Sequence, residues 1–310
     1  MAVERPKVSV VRVQEQDTYA ALERAIELID GVADVIPRGS RVLVKPNFTM
    51  GPTDRGVTNP VVLEAVLRLV SAMRPRELVV GEGAGASYTW GAFRAYNVFD
   101  MAARYGARVM DLNVDEGVRR EVPKETGRKY VMLPRTVVES DVVVSVPTFK
   151  LWGDNPMSLS LKNLFGFYGG RYYGYIKNSH EFAASHPERV LSGEVGVERG
   201  IHYPSNAQSI AAVNIARPSD LTVIDALEGG DGRGNHIRLD LLMVGRNALA
   251  TDCVGLAVAG FVPEEQEQFR FCSTMGLGPC RLEEIEVRGE HIEEVRFPLT
   301  RLLFKPQTSN

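Results

Sequence analysis

The sequence contains few cysteines, and none has the spacing that builds a cluster. Cys253, Cys272 and Cys280 are three in number and form no CxxC pair. Three such thiols assemble neither a disulfide framework nor a four-cysteine iron–sulfur or zinc site. The cysteine content therefore predicts a cytoplasmic protein in which no iron–sulfur cluster is expected, and it leaves any other cofactor or metal unknown.

Long apolar runs and an excess of one charge are also missing. No apolar stretch approaches the roughly 18 residues of a membrane span, and the first residues, "MAVERPKVSVVRV", are charged rather than apolar. With 36 basic and 39 acidic residues the net charge is only −3, which gives no electrostatic reason for nucleic-acid binding. The sequence thus predicts no membrane and no nucleic-acid partner, and any anion site must be local.

What is present is a regular alternation of strand and helix patterns. Short apolar runs such as "RVLVKPN", "ELVVGEG" and "SDVVVSVPTFK" are typical of buried parallel strands, and amphipathic stretches such as "NPVVLEAVLRLVSAM" separate them. This order predicts an α/β fold with an open, mostly parallel sheet and helices on both faces. With 310 residues, 44% of them hydrophobic, we expect a single domain over 1–310.

The alternation stops in one long segment. From about 147 to 205 the sequence is rich in Gly, Tyr, Asn and His, which is too long for an ordinary connection and predicts an inserted loop or lobe. Regular patterns then return, and the tail "RLEEIEVRGEHIEEVRF" is interpreted as a polar hairpin. The inserted lobe is the segment in which functional chemistry is expected.

Polar residues gather where the predicted strands end. In an open parallel sheet the ligand lies outside the carboxyl ends of the strands, where helix amino termini point inward. Each residue alone has a plainer interpretation as a solvated strand end, but together they bring lysines and carboxylates to one edge, where they shift one another's pKa values. The residues in question are Lys45, Asn47, Glu82, Asp111, Thr148, Lys150 and Asp225.

Two glycine-rich stretches follow predicted strands. "GEGAGA", 81–86, fits a loose dinucleotide-binding pattern, with a tight turn at Glu82 as the alternative. "DALEGGDGRGNH", 225–236, is interpreted either as a ligand loop or as a long turn. In the first case Asp231 joins Asp225 and Glu228 as an acidic group beside the same edge.

One histidine and one lysine complete the candidate site. His180 lies in the irregular segment and is the predicted acid or base, because imidazole titrates near neutral pH; a surface histidine is the alternative. In "SLSLKNLFGFYGG", 158–170, Lys162 and Asn163 interrupt an apolar helical face. Lys162 is interpreted as a ligand contact or an acid–base group, and a lysine whose stem merely extends from a core helix is the alternative.

Several phrases in a fixed order resemble the domain-of-unknown-function 362 family. They are "LVKPNFT", "GVTNPVVLEAV", "VVGEGAG", "ESDVVVSVPTFK", "SLSLKNLFG", "LTVIDA" and "ATDCVGLAV", and they run from about 40 to 260. Many members carry ferredoxin-like cysteine clusters, which this chain lacks. The amino-terminal region is also loosely similar to nickel-pincer lactate racemases, although their loop histidine motif does not follow "VVGEG".

These residues predict an enzyme that acts on a small anionic molecule by acid–base chemistry, such as isomerisation, elimination or a related proton transfer. Two alternatives stay open: an oxidoreductase that uses a nucleotide or metal cofactor, and a non-catalytic ligand-binding protein. The expected catalytic residues are Lys45, Glu82, Lys162, His180 and Asp225. The expected substrate-binding residues are Asn47, Thr58, Lys150, Asn163 and Asp231. A homo-oligomer is left open.

Overall fold

The computed structural model contains one large sheet, and its strands carry the predicted site residues Lys45, Glu82, Lys150 and Asp225. The structure describes residues 4–49, 56–85, 87–152, 155–174, 177, 205–230 and 235–299. Ten strands of these residues form one sheet, whose main path has the order β12-β1-β11-β10-β7-β2-β3-β4. The β8 strand pairs with β10, and β9 pairs with β8. The β5 and β6 strands form a separate hairpin.

The strands have the following bounds: β1 Lys7–Arg12, β2 Arg41–Pro46, β3 Glu77–Glu82, β4 Arg108–Asp111, β5 Gly117–Glu121, β6 Tyr130–Pro134, β7 Val142–Val146, β8 Thr148–Trp152, β9 Asn155–Ser158, β10 Leu221–Gly230, β11 His236–Gly245 and β12 Glu286–Gly289. The helices are α1 Thr18–Leu28, α2 Pro60–Ala72, α3 Thr89–Ala95, α4 Val98–Arg104, α5 Arg135–Glu139, α6 Ser160–Asn163, α7 Gly170–Tyr173, α8 Asn206–Ala216, α9 Ala248–Val258, α10 Glu267–Thr274 and α11 Ile292–Val295. Short 3-10 helices add Lys124–Thr126, Leu164–Phe167, Pro263–Glu265 and Leu282–Glu284.

Parallel pairing dominates the sheet. The β10, β7, β2, β3 and β4 strands are parallel neighbours, whereas β11 is antiparallel to both β1 and β10. Adjacent parallel strands bring their carboxyl ends to one edge, so that β2 and β3 end side by side with Val44 opposite Val80. The predicted α/β class with an open, mostly parallel sheet is confirmed.

The core lies on both faces of the sheet because side chains alternate along each strand. On β2, Val42 and Val44 pack with α1 and α2, whereas Leu43 packs on the opposite face with Leu164 and Phe167. A third cluster joins β1, β10 and β11 to the apolar helix α9. Lys45 has the same parity as Leu43, and it therefore extends toward the segment that follows α6.

Side chains cap the starts of several helices. Pro60 opens α2, and the Asn59 side chain accepts a hydrogen bond from Val61 N. At α8 the Ser205 hydroxyl and the Gln208 amide form a capping box. Asn247 caps α9.

Three details differ from the sequence-based expectations. The tail is no hairpin: after the 3-10 turn, β12 pairs in parallel with β1 and α11 follows. The stretch "WGAFRAYNVFDMAARYG", whose pattern predicts one helix, forms the two helices α3 and α4, because Asn97 has a left-handed φ of 53°. The β5–β6 hairpin has mixed polar and apolar strands and was not predicted. The prediction of a single domain over 1–310 with an inserted lobe at about 147–205 is not tested, since 178–204 lies outside the described residues.

Candidate functional site

The carboxyl ends of the central strands surround a buried group that we call the strand-end cluster. It consists of Lys45, Asn47, Glu82, Lys150, Asn163 and Lys177. All six side chains are at most 5% exposed. Burial of three lysines beside one carboxylate is costly unless each ammonium is hydrogen-bonded. The hydrogen-bond partners of each lysine therefore indicate whether it is charged.

The centre of the cluster is a buried ion pair between adjacent strands. Lys45 Nζ lies 2.8 Å from Glu82 Oε1, 2.9 Å from Pro46 O and 3.1 Å from Asn163 Oδ1. Burial lowers the pKa of Lys45, and the Glu82 carboxylate opposes this effect. Because an ammonium has three protons and each finds an acceptor here, the geometry is that of charged Lys45.

Glu82 is held in place by backbone amides as well as by Lys45. Its Oε2 accepts from Phe48 N at 2.7 Å, and its Oε1 accepts from Gly83 N at 2.6 Å. Three donors on one fully buried carboxylate stabilise its ionised form. The "GEGAGA" turn therefore buries Glu82, contrary to the alternative in which it exposes the side chain.

Asn163 explains the polar interruption of "SLSLKNLFG". Its Oδ1 accepts from Lys45 Nζ and, at 3.2 Å, from Asn47 Nδ2. Its Nδ2 donates to Lys45 O and Ser145 Oγ, both at 3.1 Å. One amide thus joins α6 to both β2 and β7, and it fixes the helix over the ion pair.

Thr58, outside the cluster, and Lys150, a member of it, both contact Asn47. Thr58 Oγ1 accepts from Asn47 N at 2.7 Å and donates to Val146 O at 2.6 Å. Lys150 Nζ donates to Gly56 O and lies 3.5 Å from Asn47 Oδ1. Asn47 therefore connects both residues to Asn163, which contacts the central ion pair.

Lys177 completes the cluster, and the sequence did not identify it. Its Nζ donates to Gly83 O at 2.5 Å and to Gly166 O at 2.8 Å, two neutral acceptors. Burial lowers the pKa of Lys177 to about 7, with Glu82 and Asp111 opposing this and Lys45 reinforcing it. The phrase "YIKNS" carries no motif, so only the fold shows that this amine meets Gly83 and Gly166.

Gly166, the last residue of "LKNLFG", makes the close packing feasible. A Cβ at this position would lie 2.5 Å from Lys45 Cε, 2.8 Å from Lys45 Nζ and 3.0 Å from Glu82 Oε1. At Gly83 a Cβ would meet the Gly166 carbonyl oxygen and lie 2.6 Å from Lys177 Nζ. Both glycines are required because the backbone itself lies against the charged groups.

Gly166→Ala is expected to lower the free energy of unfolding by about 1 to 3 kcal/mol, the usual cost of overpacking a tight core. Urea denaturation measures this loss. The matched control is Gly91→Ala within α3, where the nearest atom to a new Cβ is Tyr88 Cδ1 at 3.3 Å on a side chain that is 66% exposed. Alanine there is expected to be neutral or to stabilise the helix by up to about 1 kcal/mol. Equal effects in the two variants would contradict this account of Gly166.

Asp225 lies beside the cluster rather than within it. It sits inside β10, where its Oδ2 accepts from Asn59 N at 2.6 Å and its Oδ1 accepts from Leu227 N at 3.2 Å. Burial raises the pKa of Asp225 to about 6, against the effect of these two hydrogen bonds. A carboxylate on the amino end of α2 also interacts favourably with the helix dipole.

Lys162 is not brought into the cluster. Its ammonium lies 5.2 Å from the centroid of the Phe165 ring, and among the described residues it forms no hydrogen bond or ion pair. Burial lowers the pKa of Lys162 to about 8. Of the other predicted residues, His180 and Asp231 lie outside the described residues.

A second carboxylate, that of Asp252, holds the start of α6 in place. Asp252, in the first half of α9, accepts from Ser160 N and Leu161 N at 2.8 Å each. These are the first amides of α6, which carries Asn163. Burial raises the pKa of Asp252 to about 8, and the two amide hydrogen bonds oppose this. Asp252 thus anchors the start of a helix other than its own.

The described residues do not fit a metal site. They contain no group of three or more His, Cys, Asp or Glu side chains that could hold an ion. The residues after β3, Gly83 to Gly85, include no histidine, so the loop motif of nickel-pincer lactate racemases has no counterpart there. Cys253, Cys272 and Cys280 are buried free thiols.

Two cavities occur at the opposite edge of the sheet. One of about 260 Å³ is lined by the first residues of β2, β3 and β4, namely Arg41, Glu77 and Arg108. These side chains form ion pairs with one another. Another of about 510 Å³ is lined by Asp34 and Arg246, which are also paired. The Arg41, Glu77 and Arg108 side chains of the first cavity and the Asp34 and Arg246 side chains of the second thus have protein partners.

Comparisons with known proteins agree with this geometry. The model of the family described as a domain of unknown function, DUF362, matches residues 42–257, which contain every member of the cluster. The thylakoid-associated protein sll1697 of Synechocystis is 25% identical over 291 residues, covering 89% of this chain and 81% of that protein. In the described residues no helix is long and apolar enough to cross a membrane. The cytoplasmic location stays a prediction.

A solved structure shares the fold. The lactate racemase apoprotein from Thermoanaerobacterium thermosaccharolyticum matches with a TM-score of 0.50 at 12% sequence identity, over 82% of this chain and 57% of that chain. The chain thus spans little more than half the length of that racemase. At this identity the likeness is one of fold, and it confirms the resemblance drawn from the sequence.

Proposed function

The chain belongs to the DUF362 family, and from that membership and the geometry of the strand-end cluster we propose an enzyme that acts on a small anionic substrate by proton transfer. The observation that carries the proposal is the different hydrogen bonding of two buried lysines. Lys45 has three acceptors, one of them a carboxylate, whereas Lys177 has two neutral acceptors. One amine is built as a fixed cation and the other as a group that exchanges a proton.

Electrostatics supports an anionic substrate. Glu82 is paired with Lys45, and the same buried region contains two further lysines, Lys150 and Lys177. A carboxylate or phosphate group gains more from such charges in a poorly solvated site than it does in water. Asn47 and Asn163 offer neutral hydrogen-bonding groups, and Thr58 keeps Asn47 in position.

Lys177 is the proposed base, because its pKa of about 7 makes the neutral amine abundant at physiological pH. Glu82 raises that pKa, and a proton gained by Lys177 is therefore stabilised near a carboxylate. Asp225, with a pKa of about 6, is a second group that can exchange a proton in the same range. His180 and Asp231 remain part of the proposal as acid–base and substrate-binding residues, and so does Lys162 as an acid–base group.

Proton transfer at carbon is tested directly by deuterium exchange. Lactate, malate and pyruvate are incubated with the protein in D2O, and loss of their carbon-bound proton signals is followed by proton NMR. We expect exchange of at least one of them, with a rate that rises as the pH increases through about 7 because Lys177 loses its proton.

Lys177→Met is expected to lower that exchange rate at least about 100-fold, the usual contribution of a positioned base. Lys124→Met, at an exposed lysine far from the cluster in sequence, is the matched control and should exchange normally. A Lys177→Met variant that retains the wild-type rate and pH profile would refute the assignment. Binding of these acids without exchange would favour the non-catalytic alternative.

A further inference from the structure

The hydrogen bonds of Lys177 leave one electron pair unused. A neutral amine has two protons and one lone pair, and the two carbonyls of Gly83 and Gly166 accept two protons. Among the described residues, both hydrogen bonds of this amine go to backbone carbonyls, and no carboxylate accepts from it. A lysine held in this way presents its lone pair, which is the requirement for attack on a carbonyl carbon.

We infer that Lys177 is a nucleophile that forms an imine with a small 2-oxo carboxylate bound at the strand-end cluster. The inference rests on the proposed function, since it takes the same site and a more specific substrate class. The size limit follows from burial, because the side chain is only 4% exposed and a bulky aldehyde would not fit. The carboxylate is the anionic group of the proposed function, in which the buried lysines of the cluster attract an anion.

The chemistry balances without an oxidant or a further reactant. Nζ adds to the carbonyl carbon, the π electrons of the carbonyl pass to its oxygen, and that oxygen takes the proton that Nζ gives up, so that a neutral carbinolamine forms. The C–O bond then breaks, its oxygen leaves as water with a second proton, and a C=N bond forms. The resulting iminium keeps one N–H, which one of the two backbone carbonyls can still accept. Its positive charge lies near Glu82 and Asp111, whose charges also raise the pKa of Lys177.

Neighbouring lysines fit this role less well. Lys45 uses all three ammonium protons and is paired with Glu82, so its lone pair is not available. Lys162 is the serious competitor, because it has no hydrogen bond among the described residues and its pKa is about 8. It lies against Phe165, however, and lacks the acceptors that would orient its lone pair. A trapping experiment that locates the modified lysine therefore distinguishes Lys177 from Lys162.

Borohydride trapping identifies the amine. The full chain is incubated with pyruvate, sodium borohydride is added to reduce the C=N bond to a stable secondary amine, and intact mass and peptide mapping follow. Acetone replaces pyruvate in a parallel sample, because it has the same carbonyl without the carboxylate. Lys177→Met and the exposed-lysine control Lys124→Met are treated identically, and circular dichroism establishes that each variant is folded.

We expect one pyruvate adduct per chain, on Lys177, in the wild type and in the control variant Lys124→Met. We expect none in Lys177→Met and none with acetone. An adduct on Lys162, or adducts spread over exposed lysines, overturns the inference even if Lys177→Met fails to fold, because mapping of the wild type alone locates the site. Absence of an adduct while deuterium exchange persists overturns the imine and leaves the proposed function intact. Absence of both refutes the two together.

Discussion

Glu82→Leu is expected to reduce the free energy of unfolding by about 3 to 5 kcal/mol, since it leaves the Lys45 ammonium buried without its counter-ion. Both side chains are at most 1% exposed, so water cannot replace the lost carboxylate without opening the site. Urea denaturation followed by circular dichroism measures the change. A loss below about 1 kcal/mol would mean that Lys45 is neutral in the folded chain and that the ion pair is wrongly assigned.

The double variant Lys45→Met with Glu82→Leu separates the cost of an unpaired Lys45 ammonium from the cost of the other hydrogen bonds that Glu82 makes. Methionine and leucine have nearly the volumes of the residues they replace, and removal of both charges together is often tolerated. We expect the double variant to be more stable than Glu82→Leu alone. Recovery should be incomplete, because Phe48 N and Gly83 N also lose their acceptor. Each buried amide left unpaired costs about 1 to 3 kcal/mol.

Asp252→Ala is expected to destabilise the chain by about 2 to 6 kcal/mol, because the Ser160 and Leu161 amides both lose their acceptor. Asp252→Asn keeps one acceptor oxygen and should lose less. Asp100→Ala on the exposed side of α4 is the surface control, with an expected change within about 0.5 kcal/mol. Chemical denaturation of all three measures the differences. Similar stability of Asp252→Ala and the control would refute an anchoring role.

The effect of Asp252 should also depend on pH. Its pKa is raised to about 8 in the folded chain, so the protonated carboxyl is favoured by folding. That contribution to stability is fully present below the unfolded pKa of about 4 and is lost as the pH rises toward about 8. The stability difference between wild type and Asp252→Asn should therefore shrink between about pH 5 and pH 8. A difference that grows with pH would contradict the sign of this shift.

The general position of the site follows from the sequence because strand order and strand ends have strong local signals. The runs "RVLVKP" and "ELVVGE" are short, apolar and rich in valine, and they place Lys45 and Glu82 at the carboxyl ends of two strands. Parallel pairing then brings those ends together. Asn163 was identified for a similar reason, since a polar residue within an apolar helical stretch requires a partner.

The remaining contacts depend on tertiary packing that periodicity does not contain. Lys162 and Asn163 are adjacent in sequence, yet a rotation of about 100° per residue turns one into the cluster and the other toward Phe165. Lys177 reaches Gly83 across 94 residues, and Asp252 reaches Ser160 across 92. No local pattern distinguishes such residues from solvated ones. The β5–β6 hairpin was missed because its strands lack a clear alternation of apolar residues.

The position of β1 has a consequence for the order in which the fold is completed during synthesis. This strand is made first, yet its neighbours are β11 and β12, with Arg12 opposite Leu241 and Lys7 opposite Glu286. A ribosome that adds about 5 to 20 residues per second needs on the order of 10 to 50 seconds to reach those partners. Throughout that interval the apolar residues Val8, Val10 and Val11 have no strand to pair with. The nascent chain therefore carries an unpaired strand edge, a surface that chaperones bind, until nearly the whole sheet has been translated.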